Sequence, residues 1–240
     1  MPRKRSIVLM TAGVFALTAT ACRPPAETAA TVSPPPAAPA VRTSAGDAAP
    51  VSERDLARKR AFEDAIRGLR FEGERVIVDD RLPGSDEDAR TLFQAGRDLH
   101  ETNQRTAAIK SYARAVRTAP DRPDLYVGLG DAFITKGRTD LAVAAYRTAA
   151  ELDPTNPEPL SRLALTLSRE GRAGEAIRTM HALLAVDPDH AVAHERLAIW
   201  HYYDGDDVAA WRHVQETRRV GHDVPPQFLE LLRARTPEPG

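Results

Sequence analysis

The stretch from Pro123 to Asn156, PDLYVGLGDAFITKGRTDLAVAAYRTAAELDPTN, decides how the rest of the chain is interpreted. Its first half places apolar or small residues at the i, i+3, i+4, i+7 spacing of one helix face: Tyr126, Leu129, Gly130 and Phe133. Its second half carries a similar face: Ala142, Ala145, Tyr146 and Ala149. Gly137 tolerates the left-handed conformation that ends a helix, and Pro154 stops the second helix. The stretch therefore predicts two amphipathic helices joined by a tight turn.

The same order of small and bulky residues recurs upstream and downstream at a period of about 34 residues. The upstream copy contains Leu92, Ala95, Gly96, Leu99, Ala108, Tyr112, Ala115 and Pro120. The downstream copy contains Leu160, Leu163, Ala164, Leu167, Gly171, Ala176, Met180, Leu183 and Pro188. A fourth copy keeps Leu197, Ala198, Gly205 and Ala210, but departs from the pattern at His194, His201, Val214, Thr217 and His222. Terminal repeats are usually atypical because their outer face meets solvent.

This pattern resembles the tetratricopeptide repeat (TPR), a helix-turn-helix unit of about 34 residues. The resemblance implies an all-α, right-handed superhelical solenoid of about four repeats. It places them at residues 89–122, 123–156 and 157–190, with a degenerate fourth at 191–224. Residues 225–240 are then a capping helix and tail, with Phe228, Leu231 and Leu232 on one side of the helix.

The amino terminus has the features of a bacterial export signal. Arg3-Lys4-Arg5 is followed by an apolar segment, residues 7–17, that is too short to span a membrane comfortably. Ala19-Thr20-Ala21-Cys22 resembles a lipobox, with Ala19 where Leu is commoner. The resemblance implies that residues 1–21 are a lipoprotein signal peptide and that Cys22 is acylated. The alternative is an ordinary secretory signal with an incidental cysteine.

Cys22 is the only cysteine of the chain and therefore cannot form an internal disulfide. The next residue is Arg23, not the Asp associated with retention in the inner membrane. The lipoprotein resemblance thus implies an outer-membrane lipoprotein that faces the periplasm. Residues 22–50, rich in Pro and Ala, are predicted to be a lipid-anchored, disordered linker.

Residues 51–88 are predicted to form an N-terminal helix and an extended segment. Ser52 and Asp55 have the spacing of a capping box, and residues 85–88 (SDED) suit the start of the first repeat helix. The β-like run at 71–80 is predicted to be a short strand or an extended arm that packs on the first repeat.

The sequence predicts no catalytic residue, no cofactor and no metal. It contains none of the glycine-rich phosphate loops, and its formal net charge of −1 gives no indication of nucleic-acid binding. Late histidines include His190 and His194, whose i, i+4 spacing can place two imidazoles on one metal. However, His194 and His201 occupy positions that repeats use for packing, so we expect packing or surface roles.

What remains is a binding surface. In TPR arrays the first helices of successive repeats line a concave face where ligands bind. Carried over by repeat position, the predicted groove consists of Arg90, Phe93, Arg97, His100, Glu101, Asp124, Val127, Asp131, Ile134, Thr135, Glu158, Ser161, Leu165, Ser168, Arg169, Val192, Glu195, Ile199, Tyr202 and Tyr203. Tyr202 and Tyr203, with Trp200, are either a binding hot spot or packing for the last repeat.

The sequence thus predicts a non-catalytic, membrane-tethered scaffold. It would bind a protein or peptide partner in the periplasm and aid assembly of an envelope complex. An alternative is an accessory subunit of a periplasmic enzyme or cytochrome-maturation complex, with a metal or haem contact at the late histidines. A third possibility is a structural protein that associates with itself, since the sequence leaves the oligomeric state open.

Overall fold

The computed structural model describes residues 52–239, so the predicted signal peptide, Cys22 and the linker lie outside the described residues. The elements are α1 (Glu53–Ala65), β1 (Leu69–Glu72), β2 (Arg75–Val78), α2 (Asp86–Glu101), α3 (Arg105–Thr118), α4 (Pro123–Lys136), α5 (Thr139–Leu152), α6 (Pro157–Arg169), α7 (Ala173–Val186), α8 (Ala191–Asp204), α9 (Asp207–Arg219) and α10 (Pro226–Arg235). None of these helices is long and apolar enough to cross a membrane.

Helices α2 to α9 pack as four consecutive pairs, and each pair also contacts the next. We call α2, α4, α6 and α8 the first helices, and α3, α5, α7 and α9 the second helices. Short turns separate the members of each pair. In three of them a glycine in the left-handed region follows the first helix: Gly137 at φ 75°, Gly171 at φ 77° and Gly205 at φ 88°. The predicted all-α TPR solenoid is confirmed.

Small residues on the first helices let the aromatic residues of the second helices pack closely. A Cβ added at Gly96 would lie 2.7 Å from the Tyr112 ring, and one added at Gly130 would lie 2.5 Å from the Tyr146 ring. Both distances are far shorter than van der Waals contact. The third repeat places Ala164 and Met180, both fully buried, at the equivalent positions. The alternation of small and bulky residues in the sequence is therefore the packing rule of the array.

The N-terminal segment forms a helix and a β-hairpin. Strands β1 and β2 pair antiparallel, with Leu69 opposite Val78. Helix α1 packs on α3 of the first repeat, but the hairpin packs on α5 of the second repeat. Residues 71–80 thus contain short strands, one of the two predicted alternatives. The predicted contact with the first repeat is made by Asp80, whose carboxylate accepts from Arg117 of α3 at 2.6 Å, whereas β2 packs on the second repeat. The hairpin is held there because the Val76 backbone N–H donates to Thr148 Oγ1 at 2.9 Å, a buried bond.

Aromatic packing fixes the hairpin and α1 against the second repeat. The fully buried Phe133 of α4 meets the edges of two rings, Phe71 at 5.8 Å and Phe62 at 6.3 Å between centroids. The hairpin turn also carries Glu74, which accepts from Arg172 Nη1 at 2.6 Å and pairs with Arg147 at 2.7 Å. The N-terminal segment thus contacts three successive repeats.

The C-terminal helix covers the apolar end of the array. Of the three residues predicted on one side of this helix, Phe228 and Leu232 are fully buried and Leu231 is 45% exposed. Trp211 of α9 donates its indole N–H to the Thr236 carbonyl oxygen at 3.1 Å. Helix α10 therefore covers the last repeat, as the sequence predicted.

Candidate functional site

The first helices of repeats 1 to 3, together with α3, line a cavity of about 400 Å³ that is open to solvent. Its lining residues are Phe93, Arg97, His100, Glu101, Tyr112, Asp124, Val127, Gly128, Asp131, Glu158 and Arg162. We call this cavity the groove. Eight of its eleven lining residues belong to the set that the sequence predicted.

The floor of the groove is apolar, and its packing depends on the absence of a side chain at Gly128. The Phe93 ring lies 5.3 Å from the Tyr112 ring, centroid to centroid, at a tilt of 57°. A Cβ at Gly128 would lie 2.5 Å from Cε2 of Phe93. The missing side chain therefore lets the Phe93 ring lie directly against α4. Burial raises the pKa of Tyr112 to about 12, so its hydroxyl stays neutral.

One rim of the groove is a network of charged and polar groups. Asp131 accepts from the Tyr146 hydroxyl at 2.6 Å and from Arg162 Nη1 at 2.7 Å. Arg162 Nη2 in turn donates to Glu158 at 2.8 Å. Burial, with Asp131 beside it, raises the pKa of Tyr146 and keeps that hydroxyl a donor. The network holds carboxylates and a guanidinium at fixed positions beside the apolar floor.

Other predicted groove residues lie outside this cavity. Arg90 and Arg169 are exposed, while Ile134, Ser161 and Leu165 are half-buried. Thr135 is half-buried, Ser168 is buried and Val192 is exposed. Ile199 is only 4% exposed and belongs to the core, so its assignment to an accessible groove is corrected. Glu195 is engaged with His222, 3.1 Å from its Nε2.

The aromatic residues of the fourth repeat divide between packing and exposure. Tyr202 packs edge-on against Phe228 of α10, at 5.6 Å between centroids. The Arg235 guanidinium lies over the Tyr202 ring at 3.8 Å, a cation–π contact. Trp200 is buried, whereas Tyr203 is 38% exposed. Of the two interpretations, packing accounts for Tyr202 and Trp200.

Three groove residues were missed by the sequence analysis: Tyr112, Gly128 and Arg162. Tyr112 sits at a packing position of a second helix, and a Cβ at Gly128 would lie 3.0 Å from its ring. Arg162 could have been found, because it stands four residues after Glu158 on one helix, the spacing of an ion pair.

A second group of polar residues lies at the junction of repeats 3 and 4. His181, which the sequence analysis did not consider, comes together there with His194, His201 and His213. Burial lowers the pKa of His213 to about 3 and also lowers the pKa of His181. The other late histidines lie apart, since His190 caps α8 through its Nδ1 and His222 contacts Glu195.

Comparison with known families agrees with the helix pairs. One model of the tetratricopeptide repeat family matches residues 93–157, and a second matches residues 133–198. Residues 93–198 are therefore tetratricopeptide repeats. No curated protein matches it in sequence.

Solved structures with the same fold include a MamA protein, 18% identical, with a TM-score of 0.57 over 62% of this chain and 83% of its own. YrrB, described as a TPR protein with an unusual peptide-binding site, is 22% identical, with a TM-score of 0.51 over 61% of this chain and 74% of its own. A tetratricopeptide repeat protein from Parabacteroides merdae ATCC 43184 is 19% identical, with a TM-score of 0.57 over 62% of this chain and 61% of its own. At these identities the likeness concerns the fold.

Proposed function

We propose that the protein is a membrane-tethered scaffold that holds a protein or peptide segment in the groove, in the bacterial periplasm. The observation that carries the proposal is the groove itself, an apolar floor of Phe93 and Val127 beside a rim of fixed charges. Repeat arrays use such continuous surfaces for recognition. A similarly folded protein, YrrB, is described as having a peptide-binding site.

The chemistry of the groove defines the segment that fits it. The floor offers Phe93 and Tyr112 as a contact for one apolar side chain. The charged lining residues include the guanidinium of Arg97 and the carboxylates of Asp124 and Glu158. An extended segment with an apolar residue flanked by charges of both signs matches this pattern. The proposed role is binding without a chemical step.

Tethering is the second part of the proposal. It is supported by the lipobox-like residues before Cys22 and by the Pro/Ala-rich residues 22–50. More than one acyl chain on Cys22 would give stable anchoring, where a single chain gives only marginal binding. We further propose that the anchored protein faces the periplasm from the outer membrane and aids assembly of an envelope complex.

The tether is tested by labelling cells with an alkynyl palmitate and separating inner and outer membranes by density. We expect label and protein together in the outer-membrane fraction. The Cys22→Ser variant should lose the label and leave the membrane. Label retained by Cys22→Ser, or a wild-type protein found in the soluble fraction, would refute anchoring at this residue.

The groove is tested by photo-crosslinking in intact cells. A photoreactive amino acid is placed at Arg97 or Asp124, two exposed residues of the groove lining. Matched controls carry it at Arg114 or Gln215, which are exposed on second helices. We expect the two groove positions to capture the same partner and the controls to capture neither. Crosslinks confined to the control positions would contradict the proposal.

A groove variant gives an independent test. Gly128→Ala forces the half-buried Phe93 ring away from α4, because the new Cβ would lie 2.5 Å from it. We expect this variant to fold but to lose the crosslinked partner. Gly174→Ala is the matched control, since the nearest atom to its new Cβ is 3.7 Å away, on the Arg178 side chain. Equal capture by both variants would show that the Phe93 floor is not used.

A further inference from the structure

Four imidazole rings from three helices meet at the junction of repeats 3 and 4. His181 comes from α7, His194 and His201 come from α8, and His213 comes from α9. The His201 and His213 rings stack at 5.5 Å with an interplanar angle of 4°. His181 lies 5.9 Å from the His201 ring and 5.7 Å from the His213 ring, centroid to centroid. Polar rings at such a junction are costly to bury unless each nitrogen has a partner.

Hydrogen bonds fix the tautomers of two of these rings. His194 Nε2 lies 2.9 Å from the Pro188 carbonyl oxygen, which can only accept, so His194 carries its proton on Nε2. In the neutral ring His194 Nδ1 then accepts, and His213 Nδ1, at 3.0 Å, is the donor. The remaining nitrogen of His213, Nε2, is left with a lone pair. A metal-binding histidine commonly donates its other ring N–H in this way.

The other two rings complete a set of possible ligands. One ring nitrogen from each of His181, His201 and His213 lies within 4.8 Å of the others. His201 Nδ1 is buried and has no hydrogen-bond partner among residues 52–239. His181 is exposed, so the cluster opens to solvent on the α7 side. An orphaned nitrogen and an entry path are both features of a ligand site.

We propose that His181, His201 and His213 bind one divalent transition-metal ion of the zinc type, with His194 as a positioning residue. Three imidazoles and a water molecule are a known coordination set for Zn²⁺, and imidazole does not favour Mg²⁺ or Ca²⁺. Zn–N bonds of about 2.0–2.1 Å require ligand nitrogens about 3.3 Å apart in a tetrahedron. The three nitrogens, which lie within 4.8 Å of one another, would have to draw together to that spacing around the ion.

The site is separate from the groove, which α2, α3, α4 and α6 line. A bound ion would connect α7 of repeat 3 to α8 and α9 of repeat 4. Because stability in repeat arrays is a sum of repeat and interface contributions, the ion would stabilise the last repeat through its interface. The proposal therefore predicts both metal binding and a change in thermal unfolding.

The test uses the untagged full chain, stripped with a chelator and titrated with ZnCl₂ in a calorimeter. Co²⁺ is added in parallel, because tetrahedral cobalt has intense visible absorption bands. We expect binding of one ion per chain and a higher Tm with zinc. His181→Asn, a change at an exposed position, should keep the fold and weaken zinc binding at least tenfold. His201→Gln should do the same, and circular dichroism would verify that both variants are folded.

The matched controls are His190→Asn and His222→Asn, which alter late histidines outside the cluster. Both should bind zinc as the unmodified chain does. The proposal is overturned if the unmodified chain, after the chelator has been removed, binds no zinc when ZnCl₂ is in 100-fold molar excess over protein. It is overturned equally if His181→Asn binds as tightly as the controls, because the ion would then lie elsewhere.

Discussion

The close approach of α4 and α5 makes a quantitative prediction for Gly130→Ala. Alanine is a better helix former than glycine by about 1 kcal/mol in a helix interior, which favours the variant. Against this, the new Cβ would lie 2.5 Å from Cε1 of Tyr146, whereas carbon atoms prefer about 3.5–4.0 Å. The ring is fully enclosed, and its hydroxyl is bound to Asp131 at 2.6 Å.

The ring must therefore move by about 1 Å, and overpacking of this kind costs about 1–3 kcal/mol. A shift of the ring also weakens the hydrogen bond to Asp131, which is worth about 1 kcal/mol or more. The gain in helix propensity roughly cancels the hydrogen-bond loss, so we expect the free energy of unfolding to fall by about 1–3 kcal/mol. Gly174→Ala gains helix propensity without a clash and should raise the free energy of unfolding by up to about 1 kcal/mol.

The assay is equilibrium denaturation in urea, followed by far-ultraviolet circular dichroism. Midpoints are compared under identical conditions, because repeat arrays can depart from two-state unfolding. Tyr146→Met should partly rescue Gly130→Ala, since Ala164 and Met180 occupy the equivalent positions of the third repeat. Equal stabilisation by Gly130→Ala and Gly174→Ala would refute the packing argument.

Three further predictions concern the elements around this contact. Thr148→Val leaves the buried Val76 N–H without its acceptor and should cost about 1–3 kcal/mol by urea denaturation; an unchanged midpoint would mean that the hairpin is not held there. Phe133→Ala removes a fully buried ring and should cost about 3–5 kcal/mol by the same assay, while a loss below 1 kcal/mol would contradict its central position. Ser85→Ala removes a capping box and should cost about 0.5–2 kcal/mol. Hydrogen bonds from Ser85 lower the pKa of Asp88 in the folded state. The stabilisation by the Ser85–Asp88 capping box is therefore complete above the ordinary pKa of 3.8 and is lost as the pH falls through the lowered folded-state pKa. A destabilisation by Ser85→Ala that grew at acid pH would contradict this.

The repeat array was predictable because one local pattern carries it. Pairs such as Gly130 with Tyr146 and Gly96 with Tyr112 recur at a fixed period, and each repeat contacts only its neighbours. The bounds of the helices therefore follow from local sequence. Eight of the cavity's eleven lining residues come from the predicted set, because they occupy equivalent positions on the first helices; the other twelve predicted residues lie outside it.

The remaining features depend on contacts that lie far apart in sequence. The contact of the hairpin with the second repeat could not be predicted, because nothing near Val76 indicates that its partner is Thr148. The sequence pointed to the late histidines as an alternative metal contact, but not to His181, because His181 belongs to a different repeat from His201 and His213. A periodic pattern shows which side chains are buried within a unit, but not which side chains of two units meet.

The hairpin has a consequence for the cooperativity with which the repeat array unfolds. A simple repeat protein behaves as a one-dimensional chain in which each repeat interacts only with its nearest neighbours. Here α1 contacts repeat 1, Phe71 contacts repeat 2, and Glu74 bridges Arg147 and Arg172 of repeats 2 and 3. This longer-range coupling should merge the first three repeats into a single cooperative block. Fraying should then begin at the carboxyl end, and hydrogen exchange would show a step in protection between α7 and α8.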